Sequence, residues 1–143
     1  MPIIESTTQE GTGIRGGLNV AVGKYSFAVD GGAVSTIPLM GATGIPSGST
    51  ILGGWLEVDT VPTSAGGATI AVQVNAADDI VAAAAISGAP WSTTGRKSII
   101  PVFTGATAVR TTAARDISIV IGTAALTAGI VRVVLVYASP VAA

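Results

Sequence analysis

The sequence predicts an all-β protein, a jelly-roll-like β-sandwich of about eight strands. Three observations carry this reading. Short apolar runs recur along the chain, several with a period of two. Glycine, proline and aspartate clusters punctuate them at the spacing expected of an all-β domain. No repeated alternation of strand and helix appears, which argues against a parallel, doubly wound sheet.

Residues 1–17 read as a flexible N-terminal arm, with Glu5-Ser6-Thr7-Thr8-Gln9-Glu10 followed by a glycine-rich stretch. Residues 18–143 read as one β-sandwich domain. Tyr25–Val29 alternates large and small residues, and Asp30-Gly31-Gly32 turns the chain. Val34–Leu39 is a second run, ended by Pro38 and Gly41, and Pro46-Ser47-Gly48 is a further turn. In Thr50–Asp59 the residues Trp55, Glu57 and Asp59 share one face, opposite Leu56 and Val58. Ile70, Val72 and Val74 share a face of Ala68–Val74, the pattern of a half-buried strand.

Between residues 78 and 86 the pattern changes. Asp78 or Asp79 suits a helix N-cap, and Ile80–Ile86 is rich in alanine, so one short helix is expected there. Gly88 and Pro90 end it. Ser98–Thr104 is expected as an edge strand because of Pro101, and Ala106–Thr112 as a weaker one. Ile117–Ile121 alternates again. In Ile130–Tyr137, Val131, Val133, Leu135 and Tyr137 line one face and Ile130, Arg132, Val134 and Val136 the other. With both faces largely apolar, this strand should be central or covered on both sides.

Composition narrows the chemistry. The 143 residues include no cysteine and no histidine, which removes thiolate sites, the commonest metal ligand and the commonest general base. Charged residues are 10% of the chain and apolar residues 49%. No apolar stretch reaches the roughly 20 residues of a membrane-spanning helix, and no basic region followed by an apolar core opens the chain. A chain with so little charge must hide apolar surface, and large exposed patches mark interaction sites. An oligomer or larger assembly is expected, the alternative being a monomer with a surface rich in alanine, threonine and serine.

The charge is unevenly placed. Residues 1–89 carry seven acids against Arg15 and Lys24, a balance of −5, while residues 90–143 carry five bases against Asp116, a balance of +4. Neither half has the basic stripe that nucleic acid requires.

Each candidate site has a simpler local explanation. Gly11-Thr12-Gly13-Ile14-Arg15-Gly16 matches the dinucleotide fingerprint, but no strand precedes it and no helix follows. Asp78-Asp79 suits a cap and turn better than a paired-carboxylate site. Glu57 and Asp59 lack the Asp- and Asn-rich loop of a calcium site. Lys97 and Ser98 are adjacent, so in a strand they point to opposite faces and form no local dyad. The six aromatics read as core anchors rather than a sugar-binding platform, apart from Trp91, whose place after Pro90 marks it as an interface residue. No catalytic residue, cofactor or metal is expected, and the chain reads as non-enzymatic. Ile14, Arg15, Trp91, Arg96 and Lys97 are the candidate interface residues, with Arg96 and Lys97 either meeting an acidic partner surface or forming a solvated loop tip.

Ser35-Thr36-Ile37-Pro38-Leu39, Ile45–Ile51, Trp55–Thr60, Ala68–Val74 with Asp78–Ile86, and Leu126–Tyr137 together resemble small virion proteins of tailed bacteriophages. The likeness spans roughly residues 25–138 and lies in the order of strands and turns. It implies a β-sandwich that decorates or cements the capsid surface of the virion after assembly in the host cytoplasm. The implied partners are further copies of the chain, with a trimer favoured, and the major capsid protein. Nucleic acid, membrane and small-molecule substrate are not implied. The alternatives are a tail, head-fibre or adsorption component of the virion, or a carbohydrate- or calcium-binding sandwich module using Trp55, Trp91, Glu57 and Asp59.

Overall fold

The computed structural model describes residues 17–41 and 44–140. Among these residues nine strands form two antiparallel sheets. They are β1 (Leu18–Ser26), β2 (Ser35–Pro38), β3 (Thr50–Thr63), β4 (Thr69–Gln73), β5 (Val81–Ala85), β6 (Gly95–Lys97), β7 (Val109–Arg110), β8 (Ser118–Gly122) and β9 (Ala128–Ala138). The first sheet has the order β1-β9-β3-β6, with β7 pairing the start of β3. The second has the order β2-β8-β4-β5.

The core lies between the sheets. Val131, Val133 and Leu135 of β9, with Ile51, Leu56 and Val58 of β3, face Ile70 and Val72 of β4 and Ile119 and Ile121 of β8. The period-two reading therefore holds for β8, β9 and the Trp55–Asp59 part of β3. In β4, by contrast, Ala71 is buried along with Ile70 and Val72, so that strand is covered on both faces at its centre. Strand β9 is central, with β1 on one side and β3 on the other. Its second face, Ile130, Arg132, Val134 and Val136, is only half buried.

Three irregularities keep β3 in step with β9. The register slips by one residue between Val136 and Tyr137, between Ile130 and Val131, and between Ala128 and Ile130, each placing an extra residue in the longer strand. Gly54, in register opposite Leu135 just before the first of these, has φ +144°, a conformation that glycine tolerates, and a β-carbon there would lie 1.9 Å from the Val134 carbonyl oxygen.

The expected helix near 78–86 is not formed. Val81–Ala85 is strand β5, paired antiparallel with β4. Helix propensity among alanines is worth only tenths of a kcal/mol per residue, and tertiary pairing overrides it. The aspartates show how. Asp79 accepts the backbone N–H groups of Val74, Asn75 and Ala76, each at 2.8 Å, and so ties the β4–β5 turn. Asp78 has φ +61° and accepts the Ala83 N–H at 3.3 Å. Both carboxylates cap a hairpin, not a helix.

The first expected strand is also displaced. Tyr25–Val29 splits between the end of β1 and a single helical turn, α1 (Phe27–Asp30). Tyr25 is fully buried, and its hydroxyl donates to the Gly31 carbonyl at 2.7 Å, closing that turn. Burial pushes the Tyr25 hydroxyl above its ordinary value, and the charge of Asp30 adds to this. The strand expected over Ser98–Thr104 is shorter and earlier, at β6.

Trp91 corrects the expectation of an interface residue. It is fully buried in the core cluster, and its indole N–H has no acceptor among the described residues. Replacing it by alanine removes the largest fully buried side chain. The Trp91→Ala change is expected to cost about 3–5 kcal/mol in urea unfolding, and Trp91→Phe markedly less, because phenylalanine refills most of the space and leaves no unpaired donor. Asp79→Ala orphans three N–H groups and is expected to lower stability by about 2–3 kcal/mol on the same measurement.

Candidate assembly interface

The outer face of the first sheet is built row by row from the strand register. One row runs across β1, β9, β3 and β6 as Lys24, Arg132, Glu57 and Arg96. The next is Val22, Val134 and Trp55, and the one beyond is Val20, Val136 and Gly53. Leu18 and Ala138 close the face. A charged band therefore borders a continuous apolar field.

Strand β1 gives this field its character. Its alternation is inverted relative to an ordinary sandwich strand. The large residues Leu18, Val20 and Val22 are 65%, 62% and 52% exposed, while small Ala21 and Gly23 point inward. Gly23 has no room for more, since a β-carbon there would meet Leu39 Cβ at 2.9 Å. The interior thus accepts only small side chains from this part of β1. The field extends over β3, where the ring of Phe103, itself 66% exposed, lies across Gly53 and leaves no space for a side chain there.

The charged band is internally paired. Arg132 donates to Asp59 through Nε at 2.7 Å and Nη2 at 2.8 Å, a two-pronged contact. It also lies 3.6 Å from Glu57, as does Arg96. The Arg96 guanidinium stacks over Trp55, 4.6 Å from the ring centre. The opposite charges of the two halves of the sequence meet here, acids on β3 against bases on β6 and β9. The hydrogen bond from Arg132 holds the Asp59 carboxyl below its usual 3.8, partial desolvation opposes this, and the charges of Arg132 and Lys24 add to the lowering. These charges neutralise one another rather than converge on a reacting atom, and among the described residues no cluster of three or more acids could hold a metal ion.

A second feature opens on the flank. Where the β5 edge of one sheet meets the β6 edge of the other, a groove of about 640 Å³ has Ile80, Val81 and Ile99 in its floor and a wall of alanines. Arg96 and Lys97 line it, and no acidic side chain does. Arg96 therefore belongs to both surfaces.

Of the residues singled out in the sequence, Arg96 and Lys97 come together at these surfaces and Trp91 does not. Ile14 and Arg15, with all of the expected arm of residues 1–17 but Gly17, lie outside the described residues. Leu18, Val20, Val22, Trp55 and Phe103 were not anticipated as surface anchors. The alternation Leu18-x-Val20-x-Val22 is visible in the sequence, but only the fold shows that it faces outward. Among the described residues, no helix is long and apolar enough to cross a membrane.

Because the folded-state value of Asp59 is depressed, its pairing with Arg132 stabilises the fold above the ordinary carboxylate range and is lost as pH falls through the lower, folded-state value. A carboxyl-detected NMR titration is expected to place the Asp59 midpoint below 3.8 and to return it toward that value in Arg132→Ala. An unmoved midpoint would exclude the pair as its cause.

No protein-family model matches the chain, and no curated protein does. Two solved structures share its fold. One is a chain of the acid-stable capsid of Helicobacter pylori bacteriophage KHP30, with TM-score 0.60 and 12% identity over 88% of this chain and 90% of that one. The other is a chain of the cyanophage Pam1 capsid asymmetric unit, with TM-score 0.60 and 22% identity over 98% of this chain and 100% of that one.

Proposed function

We propose that this chain is a structural protein of a bacteriophage virion that decorates the capsid surface, and that the outer face of the first sheet is its seat on the major capsid protein. The observation that carries the reading is the inverted strand β1, which turns Leu18, Val20 and Val22 toward solvent beside Val134 and Val136. Burying a valine or leucine side chain is worth about 1.5–3 kcal/mol, so a face of this kind is stabilised when another surface covers it. Its layout, an apolar field with a charged margin, matches the core and rim of protein interfaces. The shared fold with chains of two phage capsids supports the virion context. In this role the protein does no chemistry and adds contact area between shell subunits, as an oligomer for which a trimer is the favoured state.

The test is occupancy on capsids that lack the protein, read by cryo-electron microscopy. The wild-type chain is expected to coat the shell with the β1–β9–β3–β6 face inward. Val22→Asp places a charge in the apolar field and is expected to weaken binding at least about tenfold. Density at the tail or on head fibres, with none on the shell, would select the other virion roles and overturn this one.

A further inference from the structure

The flank groove and the root of the N-terminal arm lie on opposite edges of the molecule. Residue 17 leads into β1, at one edge of the first sheet, and its carbonyl accepts the Ser139 N–H at the end of β9. The groove lies beside β6, at the other edge, where it meets β5. A surface at one edge and its complement at the other make a head-to-tail contact, which closes into a ring when the rotation allows.

The two elements are also complementary in chemistry. The groove has an apolar floor of Ile80, Val81 and Ile99 and two cations, Arg96 and Lys97. The segment before Gly11 carries Ile3 and Ile4 followed by Glu5 and, five residues on, Glu10, and no basic side chain. The length suffices. Gly17 lies twelve residue steps after Glu5, an extended reach of about 40 Å, while four strands side by side span only about 15–20 Å.

We infer that residues 3–10 of one copy occupy the β5–β6 groove of its neighbour, with Ile3 and Ile4 over the apolar floor and Glu5 or Glu10 against Lys97 and Arg96. The contact is made by side chains more than by an added strand. At Ala83 the edge of β5 is already blunted, because the carboxylate of Asp78 takes that N–H. The exchange links copies around a ring and leaves the outer face of the first sheet available to the shell. It deepens the capsid-decoration reading by naming how copies join one another, and it can be tested without capsids.

The experiment uses the full chain, mixed in equal parts as nitrogen-14 and nitrogen-15 protein and treated with a carbodiimide, which joins carboxylates to lysines without a spacer. A Glu5–Lys97 or Glu10–Lys97 cross-link containing one light and one heavy peptide is expected. Cross-links confined to a single isotope, links to Lys24 instead, or none at all would overturn the inference. Sedimentation supplies the second measurement. Lys97→Glu is expected to raise the self-dissociation constant about tenfold, and adding Glu5→Lys with Glu10→Lys is expected to restore it. Failure of that rescue counts against the pairing even if Lys97→Glu weakens association. Should the variants coat capsids normally while showing neither cross-link nor rescue, the arm exchange falls and the decoration reading stands.

Discussion

Strand β9 is the constraint on which the rest of the structure depends. It pairs antiparallel with β1 along one side and with β3 along the other, so the two other long strands of the five-stranded first sheet take their register from it. A strand in that position must present alternate side chains to opposite faces. Val131, Val133 and Leu135 go into the core, and Ile130, Arg132, Val134 and Val136 go outward as an unavoidable consequence. Neighbouring strands then either match the outward set or conflict with it. Glu57 and Asp59 match Arg132, and Val20, Val22 and Trp55 match Val134 and Val136.

The outer face thus inherits its division from one strand. Where β9 carries arginine, the row across the sheet is charged, and exposed ion pairs of this kind contribute little to stability on their own. Their effect is on specificity, since an apolar surface approaching out of register would leave the guanidinium and carboxylates uncompensated. Where β9 carries valine, the row is apolar on every strand, and β1 turns its larger residues outward because Leu39 and Ile117 leave room only for glycine at position 23. The tight interior at that edge and the apolar exterior are two sides of one packing decision.

The second sheet follows a different logic. Its alanine-rich edge strand β5 is held by pairing with β4 and by the Asp79 carboxylate in the connecting turn, although the same residues in isolation favour a helix. Small side chains at this edge leave a groove between the sheets rather than a closed wall. The two tryptophans exchange the roles their neighbourhoods suggest. Trp91, beside a proline in a connecting segment, fills the core, and Trp55, in the middle of a strand, lies on the surface under Arg96.

By itself the sequence determined the class of fold, because period-two alternation in β3, β8 and β9 is a local property that any sheet environment reads the same way. It also determined the poverty of chemistry, since no arrangement of the chain supplies a thiol or an imidazole. Its low charge pointed to an assembled state without saying which surface is used. Tertiary structure alone decided the sense of β1, the fate of residues 78–86 and the exchange between Trp55 and Trp91. In each case the deciding energy comes from partners distant in sequence: Leu39 and Ile117 against Gly23, β4 against the alanine run, and Arg96 above Trp55. Local propensity is worth a fraction of a kcal/mol per residue, while packing and pairing contribute several times that, so the sequence is legible where the two agree and misleading where they do not.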